Sequence, residues 1–550
     1  MIRALKPFFA LPAATSAAEK KLAWAAWALF ALTALWAMYA VPMCMDEALP
    51  YHPLACLAYP YAHLHTLREG CDNRYTLDFL GLHIPGSYYY TGFLSSALYA
   101  PVFFLLRTAQ AQYWFGLAFF LAFAFFLARL TPRPALGLPL IFSFFPFSFQ
   151  FIHDTGPVRF ALLIFPLGAM LLRRMTERKA GVRWVYAALL ALLALLATED
   201  KVFFLYLLPG YAFFCLAFTG EKSWPALFAR LKKTWPAIML AVVLATIGLA
   251  ALFASAIDGR PYFDLLRIVA PRQAPATGFF YTLKLFIAYL LAWPAYAHRV
   301  FDMRGAMLTP SFFFFMVAAA GLFAGCVVLA VHKSPRRWLA PRPLLLALSF
   351  LATTAVFLIL RNVWAGHHFI FLWPPLMVLF ADLLEDAAPA ARKALLGAFL
   401  ALNALAVVIL LWWPIDPTAA RDRQAIFAYF HNDARAAQAI VNYSSWGGYY
   451  IQSLYGPRDQ LVTYAQPLTP ASARQLLALS RQTGRRLYDV CYNNLRDDPL
   501  QELPPLIDHR YYNSVCDQAY LEAMFGDKVR FEDLLPQQRI WHLFVAVPRD

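Results

Sequence analysis

The chain has 550 residues, of which 61% are hydrophobic and only 14% are charged. A soluble domain is about half apolar and about a quarter charged, so this composition excludes an ordinary soluble protein and indicates a membrane protein. The formal net charge of +15 does not indicate a nucleic-acid partner. The basic residues fall in short clusters between apolar segments, as in cytoplasmic loops, and form no stripe interleaved with aromatic residues.

Apolar segments long enough to cross a bilayer recur throughout residues 1–413. A transmembrane helix needs about 20 mostly apolar residues, and we therefore expect about eleven to thirteen of them. The candidate segments are 22–41, 88–106, 112–128, 135–152, 158–172, 184–198, 202–218, 235–256, 279–297, 311–331, 344–360, 369–384 and 394–413. The first is too long for a signal-peptide core, which predicts a retained helix and a cytoplasmic N-terminus.

The topology of the N-terminal half is inconsistent if every segment crosses. Lys20 and Lys21 on the cytoplasmic side place Asp46 outside, and the basic cluster at 173–183 places Asp154 outside as well. Three apolar segments separate these two carboxylates, and an odd number of crossings cannot join two points on one side. One of them, 88–106 or 112–128, is predicted to be interfacial or re-entrant. The number of crossings and the sides assigned to the flanking loops also disagree around residues 257–310.

Residues 414–550 have the alternating pattern of a soluble domain. Strands are predicted at 439–443, 486–491 and 540–547, and an amphipathic helix at 471–483, which together indicate a small C-terminal α/β domain. The topology of the last apolar segments places this domain outside, in the periplasm. In an oxidising compartment a disulfide between Cys491 and Cys516 is expected, and a second between Cys56 and Cys71 is the weaker prediction.

Four polar clusters between the apolar segments are predicted to face the same external side. Any one of them alone is usual for a turn, but together they bring carboxylates, cations and histidines to one membrane surface. The clusters are Asp46 and Glu47 with His52, His153 and Asp154 with Arg159, residues 198–201 ending in Lys201, and Arg361 with His367 and His368.

Such a set suits the transfer of a group from a lipid phosphate. A carboxylate beside the hydrocarbon can act as general base on an acceptor hydroxyl. A nearby lysine or arginine can stabilise the phosphate that leaves. Carboxylates and histidines also bind divalent metals, so a metal cofactor is left open, although no spacing in the sequence demands one.

The clusters resemble those of the GT-C glycosyltransferases, and most nearly family 39, which comprises protein O-mannosyltransferases and bacterial relatives such as the lipid A aminoarabinose transferases. The acidic pair Asp46-Glu47, followed by Tyr51-His52, is similar to the start of that family's first external loop, here residues 42–87. Four more features are similar to motifs of the same family: the proline and aromatic residues of Pro85–Tyr90, a second external acidic residue at Asp154, a segment of small residues with a lysine at Ala197–Lys201, and a histidine-containing segment at Gly366–Pro374.

The resemblance implies a polyprenyl-phosphate sugar as donor and inverting transfer at the periplasmic face of the bacterial inner membrane, with a glycan, lipid or protein as acceptor. Asp46, with Glu47 as the weaker member, would be the base and Asp154 would support it. Lys201, Arg159 or Arg361 would contact the phosphate, and His52, His367 and His368 the substrate. The aminoarabinose transferases carry a lysine before the proline-aromatic motif that corresponds here to Pro85–Tyr90. In this chain His83 is the nearest candidate for the position of that lysine.

Two other functions remain open on the sequence. A transporter or flippase of lipid-linked sugars would need charges along a path at mid-membrane depth, whereas the ionisable residues here gather at the ends of the apolar segments. A non-catalytic envelope assembly protein would use the C-terminal domain to bind a partner, with the aromatic run Trp446–Tyr450 as a platform.

Overall fold

The computed structural model describes a helical region followed by a small sheet domain. The described residues are 17–41, 43, 45–52, 54–55, 76–79, 82–85, 92–154, 158–177, 180–254, 256–257, 260–261, 279–297, 310–333, 338–360, 366–412, 418–444, 448–465, 468–492, 516–538 and 541–549.

The helical region is built from fifteen α-helices among the described residues. They are α1 Ala17–Tyr39, α2 Met45–Ala48, α3 Leu94–Leu106, α4 Ala109–Ala128, α5 Pro134–Ser143, α6 Phe145–His153, α7 Arg159–Glu177, α8 Ala180–Asp200, α9 Phe204–Leu216, α10 Trp224–Ala254, α11 Phe279–Leu291, α12 Pro310–Lys333, α13 Pro341–Leu360, α14 Trp373–Asp386 and α15 Pro389–Trp412. Two short hairpins accompany them, β1 Thr76–Phe79 with β2 Leu82–Pro85, and β3 Ala256–Ile257 with β4 Arg260–Pro261.

The helices are those of a mainly α-helical, multi-pass membrane protein. Among the described residues seven helices are long and apolar enough to cross a membrane, namely α1, α4, α8, α10, α12, α13 and α15, and there are eight if the bent pair α5–α6 is counted as one span. This is fewer than the eleven to thirteen expected. Several predicted segments form shorter helices, because 3-10 turns at Trp293–Ala297 and Gly366–Leu372 interrupt their α-helical hydrogen bonding.

The break between α5 and α6 bends the chain by 65°. Phe144 adopts an extended conformation there, so the backbone N–H of Phe145 has no partner within a continuous helix. It donates instead to the side-chain oxygen of Asn403 on α15, at 3.2 Å, and the Asn403 amide in turn donates to the carbonyl of Phe399. A buried polar side chain thus satisfies the backbone group that the bend releases in an apolar environment.

Helix α3 contacts the end of α8 at its start and the C-terminal domain just after its last turn. At thirteen residues it is about 20 Å long, shorter than the hydrocarbon core. Its first backbone amides bind Glu199 at the end of α8, and Arg107, which follows its last turn, binds the carbonyl of Leu454 in the C-terminal domain. Both ends of α3 therefore lie at the same side. Which of 88–106 and 112–128 is interfacial or re-entrant stays a prediction, although α3 is too short to cross and α4 is long enough.

The opposite end of the bundle carries arginine–carboxylate pairs. Arg342 binds Asp382 through two hydrogen bonds of 2.8 Å and also donates to the carbonyl of Leu130, just beyond the far end of α4. Arg392 binds Glu19 at 3.2 Å. These contacts tie together the loops at the end of the bundle away from Glu199.

The C-terminal domain is a five-stranded mixed sheet with helices packed on it. Strands β5 Ile440–Tyr443, β6 Leu461–Tyr464, β7 Leu487–Tyr492, β8 Val529–Asp533 and β9 Trp541–Pro548 lie in the order β6-β5-β7-β9-β8, the first three parallel and the last two antiparallel. The helices are α16 Thr418–Asn432, α17 Gly448–Tyr455, α18 Pro470–Thr483 and α19 Gln518–Phe525. The predicted α/β class and three predicted strands are confirmed, as is the predicted helix at 471–483.

The predicted disulfide between Cys491 and Cys516 is present, with a Cα–Cα distance of 5.3 Å. It joins the end of β7 to the residues before α19. A closed loop of this length stabilises a small domain by about 3 kcal/mol, mainly by restricting the unfolded chain. The weaker predicted pair, Cys56 with Cys71, lies outside the described residues.

Candidate functional site

Glu47 and His153 meet in the interior at the end of the helix bundle that carries α3. Glu47 lies on the short helix α2, directly after α1, and His153 ends α6. The Nδ1 of His153 is 3.0 Å from Oε1 of Glu47, and both side chains are fully buried. The Nε2 of His153 is 2.7 Å from the carbonyl oxygen of Ala37. A carbonyl only accepts hydrogen bonds, so Nε2 carries a proton.

The backbone around Glu47 is held by a chain of hydrogen bonds that reaches the C-terminal domain. The side-chain amide of Gln112, on α4, donates to the Glu47 carbonyl at 2.8 Å. The hydroxyl of Tyr455, at the end of α17, donates to the side-chain oxygen of Gln112 and lies 3.2 Å from the hydroxyl of Tyr99. The position of the acidic segment is therefore coupled to the docking of the C-terminal domain.

Asp154 organises the turn between α6 and α7. It has a left-handed backbone conformation, with φ of 43°, a region that aspartate tolerates better than most residues. Its Oδ1 accepts hydrogen bonds from the backbone amides of Val158 and Arg159, at 2.9 and 3.0 Å, at the start of α7. Its Oδ2 is buried, lies 3.8 Å from Nε of Arg159, and accepts no hydrogen bond from the described residues.

Arg159 is buried and donates in three directions. Its Nε binds the carbonyl of Phe151 at 2.8 Å and its Nη2 the carbonyl of Ile152 at 3.2 Å, both in the last turn of α6. Its Nη1 donates to the hydroxyl of Tyr51 at 3.1 Å. A cation at a helix C-terminus complements the exposed carbonyls and the helix dipole. In this arrangement Arg159 joins the turn after α6 to the segment that follows Glu47.

Tyr51 and Asp200 bring two further polar groups to this cluster. Burial raises the pKa of Tyr51, so its hydroxyl stays protonated. The hydroxyl of Ser95 donates to Oδ1 of Asp200, whereas Oδ2 of Asp200 is buried and accepts no hydrogen bond within the described chain. The carboxyls of Asp154 and Asp200 interact electrostatically with each other and with Tyr51. The loops after α2, α6 and α8 therefore converge.

Glu199 and Lys201 flank Asp200 and differ in their surroundings. Glu199 accepts hydrogen bonds from the backbone amides of Phe93 and Leu94 at 2.6 and 3.2 Å, and so caps the start of α3. Gly92 approaches Glu199 so closely that a Cβ atom would collide with its carboxyl group. Lys201 is buried and acts electrostatically on Asp200. It is a buried cation beside the two carboxylates.

Helix α17 covers this cluster from the C-terminal domain. The Nδ1 of His52 is 2.9 Å from the hydroxyl of Ser453. The guanidinium of Arg107 donates to the carbonyls of Leu454 and Gly456, at 3.1 and 3.2 Å. His52, predicted as a substrate contact, therefore lies where α17 meets the acidic segment. Because α17 closes over the site, the C-terminal domain contributes to its architecture.

Several predicted site residues are placed only in part. The backbone of Asp46 lies on α2 next to Glu47, and the backbones of His367 and His368 lie in the 3-10 helix Gly366–Leu372. The side chains of these three residues and the whole of Arg361 lie outside the described residues. The roles proposed for them from the sequence stay predictions.

One group of residues in the described part of the chain has the proximity of a metal site. It consists of Asp489, Cys491 and Cys516, whose ligand atoms lie within 4.8 Å of one another. Both sulfurs are joined in the disulfide, so they are not thiolate ligands, and the group does not fit a divalent metal.

Sequence reasoning missed Asp200, Tyr51 and the contribution of α17. Asp200 stands between Glu199 and Lys201, and Tyr51 stands next to His52, so both lie inside segments that the sequence singled out. Their position within those segments is the only local signal for them. The contact between Tyr455 and Gln112 joins residues more than three hundred positions apart and leaves no local signal.

Comparison with known protein families finds no family model that matches the chain. No curated protein matches its sequence either.

Proposed function

We propose that the chain is a membrane glycosyltransferase that moves a sugar from a polyprenyl-phosphate carrier to an acceptor hydroxyl. The observation that carries this proposal is the convergence of Glu47, Asp154, Asp200 and Lys201 at one end of a membrane helix bundle. Buried carboxylates at the end of a hydrophobic bundle are costly, and such groups mark functional sites. The resemblance of the same segments to GT-C enzymes of family 39 gives the reaction class.

The proposed reaction is a displacement at the anomeric carbon of the donor sugar. The acceptor oxygen forms a bond to that carbon while the bond from the carbon to the carrier phosphate oxygen breaks, so the configuration inverts. The acceptor proton passes to the carboxylate of Asp46, acting as general base. Polyprenyl phosphate leaves as an anion, and Lys201 stabilises its charge. The acceptor is a glycan, a lipid or a protein.

The remaining cluster residues position these groups. The buried Oδ2 atoms of Asp154 and Asp200, which accept no hydrogen bond from the described residues, are suited to accept hydrogen bonds from substrate hydroxyls. Arg159 already donates to two backbone carbonyls and to Tyr51, so we assign it to holding the turn that carries Asp154. The phosphate-binding role therefore passes to Lys201, with Arg361 as the second predicted cation.

The basic loops and the disulfide support a periplasmic orientation of the site. The arginine contacts of Arg342 and Arg392 lie at the other end of the bundle, as expected for the cytoplasmic side. The Cys491–Cys516 disulfide suits an oxidising compartment. In the inner membrane of a bacterium this orientation places the N-terminus in the cytoplasm and the C-terminal domain in the periplasm.

The distribution of charge favours transfer over transport. The buried ionisable groups of the described chain gather at the two ends of the bundle, as Glu47, Asp154 and Asp200 do at one end and Glu19 at the other. A flippase for lipid-linked sugars would need such groups along a path through the membrane.

The proposal is tested with a panel of polyprenyl-phosphate sugars. Purified protein in proteoliposomes is incubated with each donor, and released polyprenyl phosphate is measured by mass spectrometry. We expect release from at least one donor, and its loss in Lys201→Gln, with Lys222→Gln in the loop before α10 as the matched control. Absence of release from every donor by folded protein, with periplasmic extract supplied as acceptor, would contradict a transferase.

A further inference from the structure

A cavity lies between the C-terminal domain and the ends of two membrane helices. It has a volume of about 350 Å³ and is lined by the end of α1, the start of α4, and residues of α16, α17 and the sheet. Tyr113 and Tyr455 separate this cavity from the cluster around Glu47 and His153. Both tyrosines line the cavity; on the other side, Tyr113 packs on His153 and Tyr455 binds Gln112. We propose that this cavity binds the phosphate head group of an anionic membrane lipid.

The lining of the cavity is cationic. Arg107 and Arg423 contribute to it, and no aspartate or glutamate is among its described lining residues. His431 binds the backbone carbonyl of Tyr455 at 3.1 Å, and Arg107 binds the same segment through Leu454 and Gly456. A concave surface with cations and no carboxylate concentrates anions.

Arg423 supplies the group that recognises the phosphate. Its guanidinium lies over the ring of Trp541, 5.9 Å from the ring centre, which is within cation–π range. Its Nε is buried and has no acceptor among the described residues. A buried donor without an acceptor is costly, and a phosphate oxygen in the cavity would satisfy it. Arginine forks match the spacing of phosphate oxygens.

The start of α4 adds a second, independent attraction for an anion. Thr108 caps this twenty-residue helix by accepting a hydrogen bond from the amide of Ala111 at 3.1 Å. Thr108, Ala109 and Gln110 all line the cavity. The positive end of the helix dipole therefore faces the same space as Arg423, and helix N-termini are ordinary binding sites for phosphate.

The location of the cavity selects a lipid as the source of the phosphate. Met38, Tyr39 and Val41, at the end of the first membrane helix, form one wall, and Tyr39 is 61% exposed. Exposed tyrosines at helix ends lie at the level of lipid head groups. The volume is at the low end of small-molecule sites, which suits a head group whose acyl chains stay in the bilayer. The bound lipid would hold the C-terminal domain against the membrane helices.

The test counts bound lipids on the full-length protein by native mass spectrometry in detergent. The probes are a short-chain phosphatidylglycerol, the matching phosphatidylcholine, and inorganic phosphate. Arg423→Gln removes the cation, and Arg421→Gln, an exposed arginine on the same helix, is the matched control. Arg423→Lys keeps the charge beside Trp541 and replaces the glutamine variant if that variant does not fold. None of these measurements depends on sugar transfer, so the result is independent of the proposed enzymatic function.

We expect saturable binding of phosphatidylglycerol over phosphatidylcholine, weakened about tenfold or more by Arg423→Gln, since one charge-assisted contact is lost. Arg423→Lys should weaken binding less, and Arg421→Gln should leave it unchanged. Equal binding of the two lipids, or equal effects of the two glutamine variants, would overturn the proposal. Inorganic phosphate binding as tightly as phosphatidylglycerol would overturn the assignment to a lipid.

Discussion

His153 and Glu47 share one proton in the interior of the protein. Because Nε2 of His153 donates to the carbonyl of Ala37, the contact between Nδ1 and Oε1 of Glu47 has only two arrangements that form a hydrogen bond. Either an imidazolium donates to a carboxylate, or a protonated Glu47 donates to a neutral imidazole. Both arrangements have zero net charge, which explains how two titratable groups are buried together at the end of the bundle.

This shared proton predicts different effects for two substitutions of Glu47. Glu47→Gln should keep stability near that of the wild type, because the glutamine amide can donate to Nδ1 of a neutral His153. Glu47→Ala should destabilise the protein by about 2–4 kcal/mol, since it leaves a buried ring nitrogen unpaired and creates a cavity. Thermal unfolding in detergent measures both. An alanine variant as stable as the glutamine variant would show that the contact contributes nothing.

The three donors of Arg159 predict that lysine cannot replace it. Lysine has a single ammonium and cannot reach the carbonyls of Phe151 and Ile152 together with the hydroxyl of Tyr51. We expect Arg159→Lys to lower the free energy of unfolding by at least about 2 kcal/mol. Arg174→Lys, at an exposed position on the same helix, is the control, and similar unfolding midpoints for the two variants would refute the structural role of Arg159.

The hydroxyl of Tyr455 should help to hold the C-terminal domain against the site. Tyr455→Phe removes the hydroxyl that binds Gln112 and Tyr99, and should lower the stability of the docked domain by about 1–2 kcal/mol. Limited proteolysis should then separate the C-terminal domain from the helix bundle faster than in the wild type. Tyr186→Phe on α8 is the control, and unchanged cleavage rates in Tyr455→Phe would argue against coupling through this hydroxyl.

The buried carboxyl of Asp489 should make the stability of the C-terminal domain depend on pH. It is buried between Asn442 and Ser444, which donate to its Oδ2 at 2.6 and 2.9 Å. Burial raises the pKa of Asp489 from 3.8 to about 7. Between these two values the folded domain holds a proton that the unfolded chain has released. Its contribution to stability is therefore full below pH 3.8 and is lost as the pH rises through about 7.

Asp489→Asn should remove this dependence, because asparagine is neutral at every pH and has nearly the same shape. We expect the free energy of unfolding of the wild type to fall relative to that of Asp489→Asn as the pH rises from 5 to 8, by about 1.4 kcal/mol for each unit of pH below the folded pKa. Asp527→Asn, exposed in the same domain, is the control. A constant difference across this range would contradict a raised pKa.

Local patterns in the sequence predicted much of the fold and less of the site. Composition and apolar length identified the membrane class, and alternation identified the strands around Val441, Tyr488 and Trp541. Charge counting limited the interfacial or re-entrant segment to two candidates, and the choice between them stays a prediction. These features depend on neighbours in sequence, where periodicity and charge rules apply.

The parts that escaped prediction depend on contacts between distant residues. The segments carrying Glu47, Asp154 and Lys201 were each recognised, but their mutual arrangement follows from helix packing. Asp200 was passed over beside two charged neighbours, although it interacts electrostatically with Asp154. Among the described residues fewer helices are long and apolar enough to cross than the sequence predicted, because an apolar segment indicates burial in lipid or protein alike, whether or not the helix is long enough to cross.

The most direct test of the proposed mechanism is sugar transfer by Asp46→Asn, measured as polyprenyl phosphate released from the donor that the wild type uses. Asparagine keeps the size of the side chain and removes its basicity, so we predict that transfer falls by at least about a hundredfold, the usual contribution of a general base. Asp459→Asn, exposed in the C-terminal domain, should transfer at the wild-type rate. Full activity of a folded Asp46→Asn protein would contradict the mechanism.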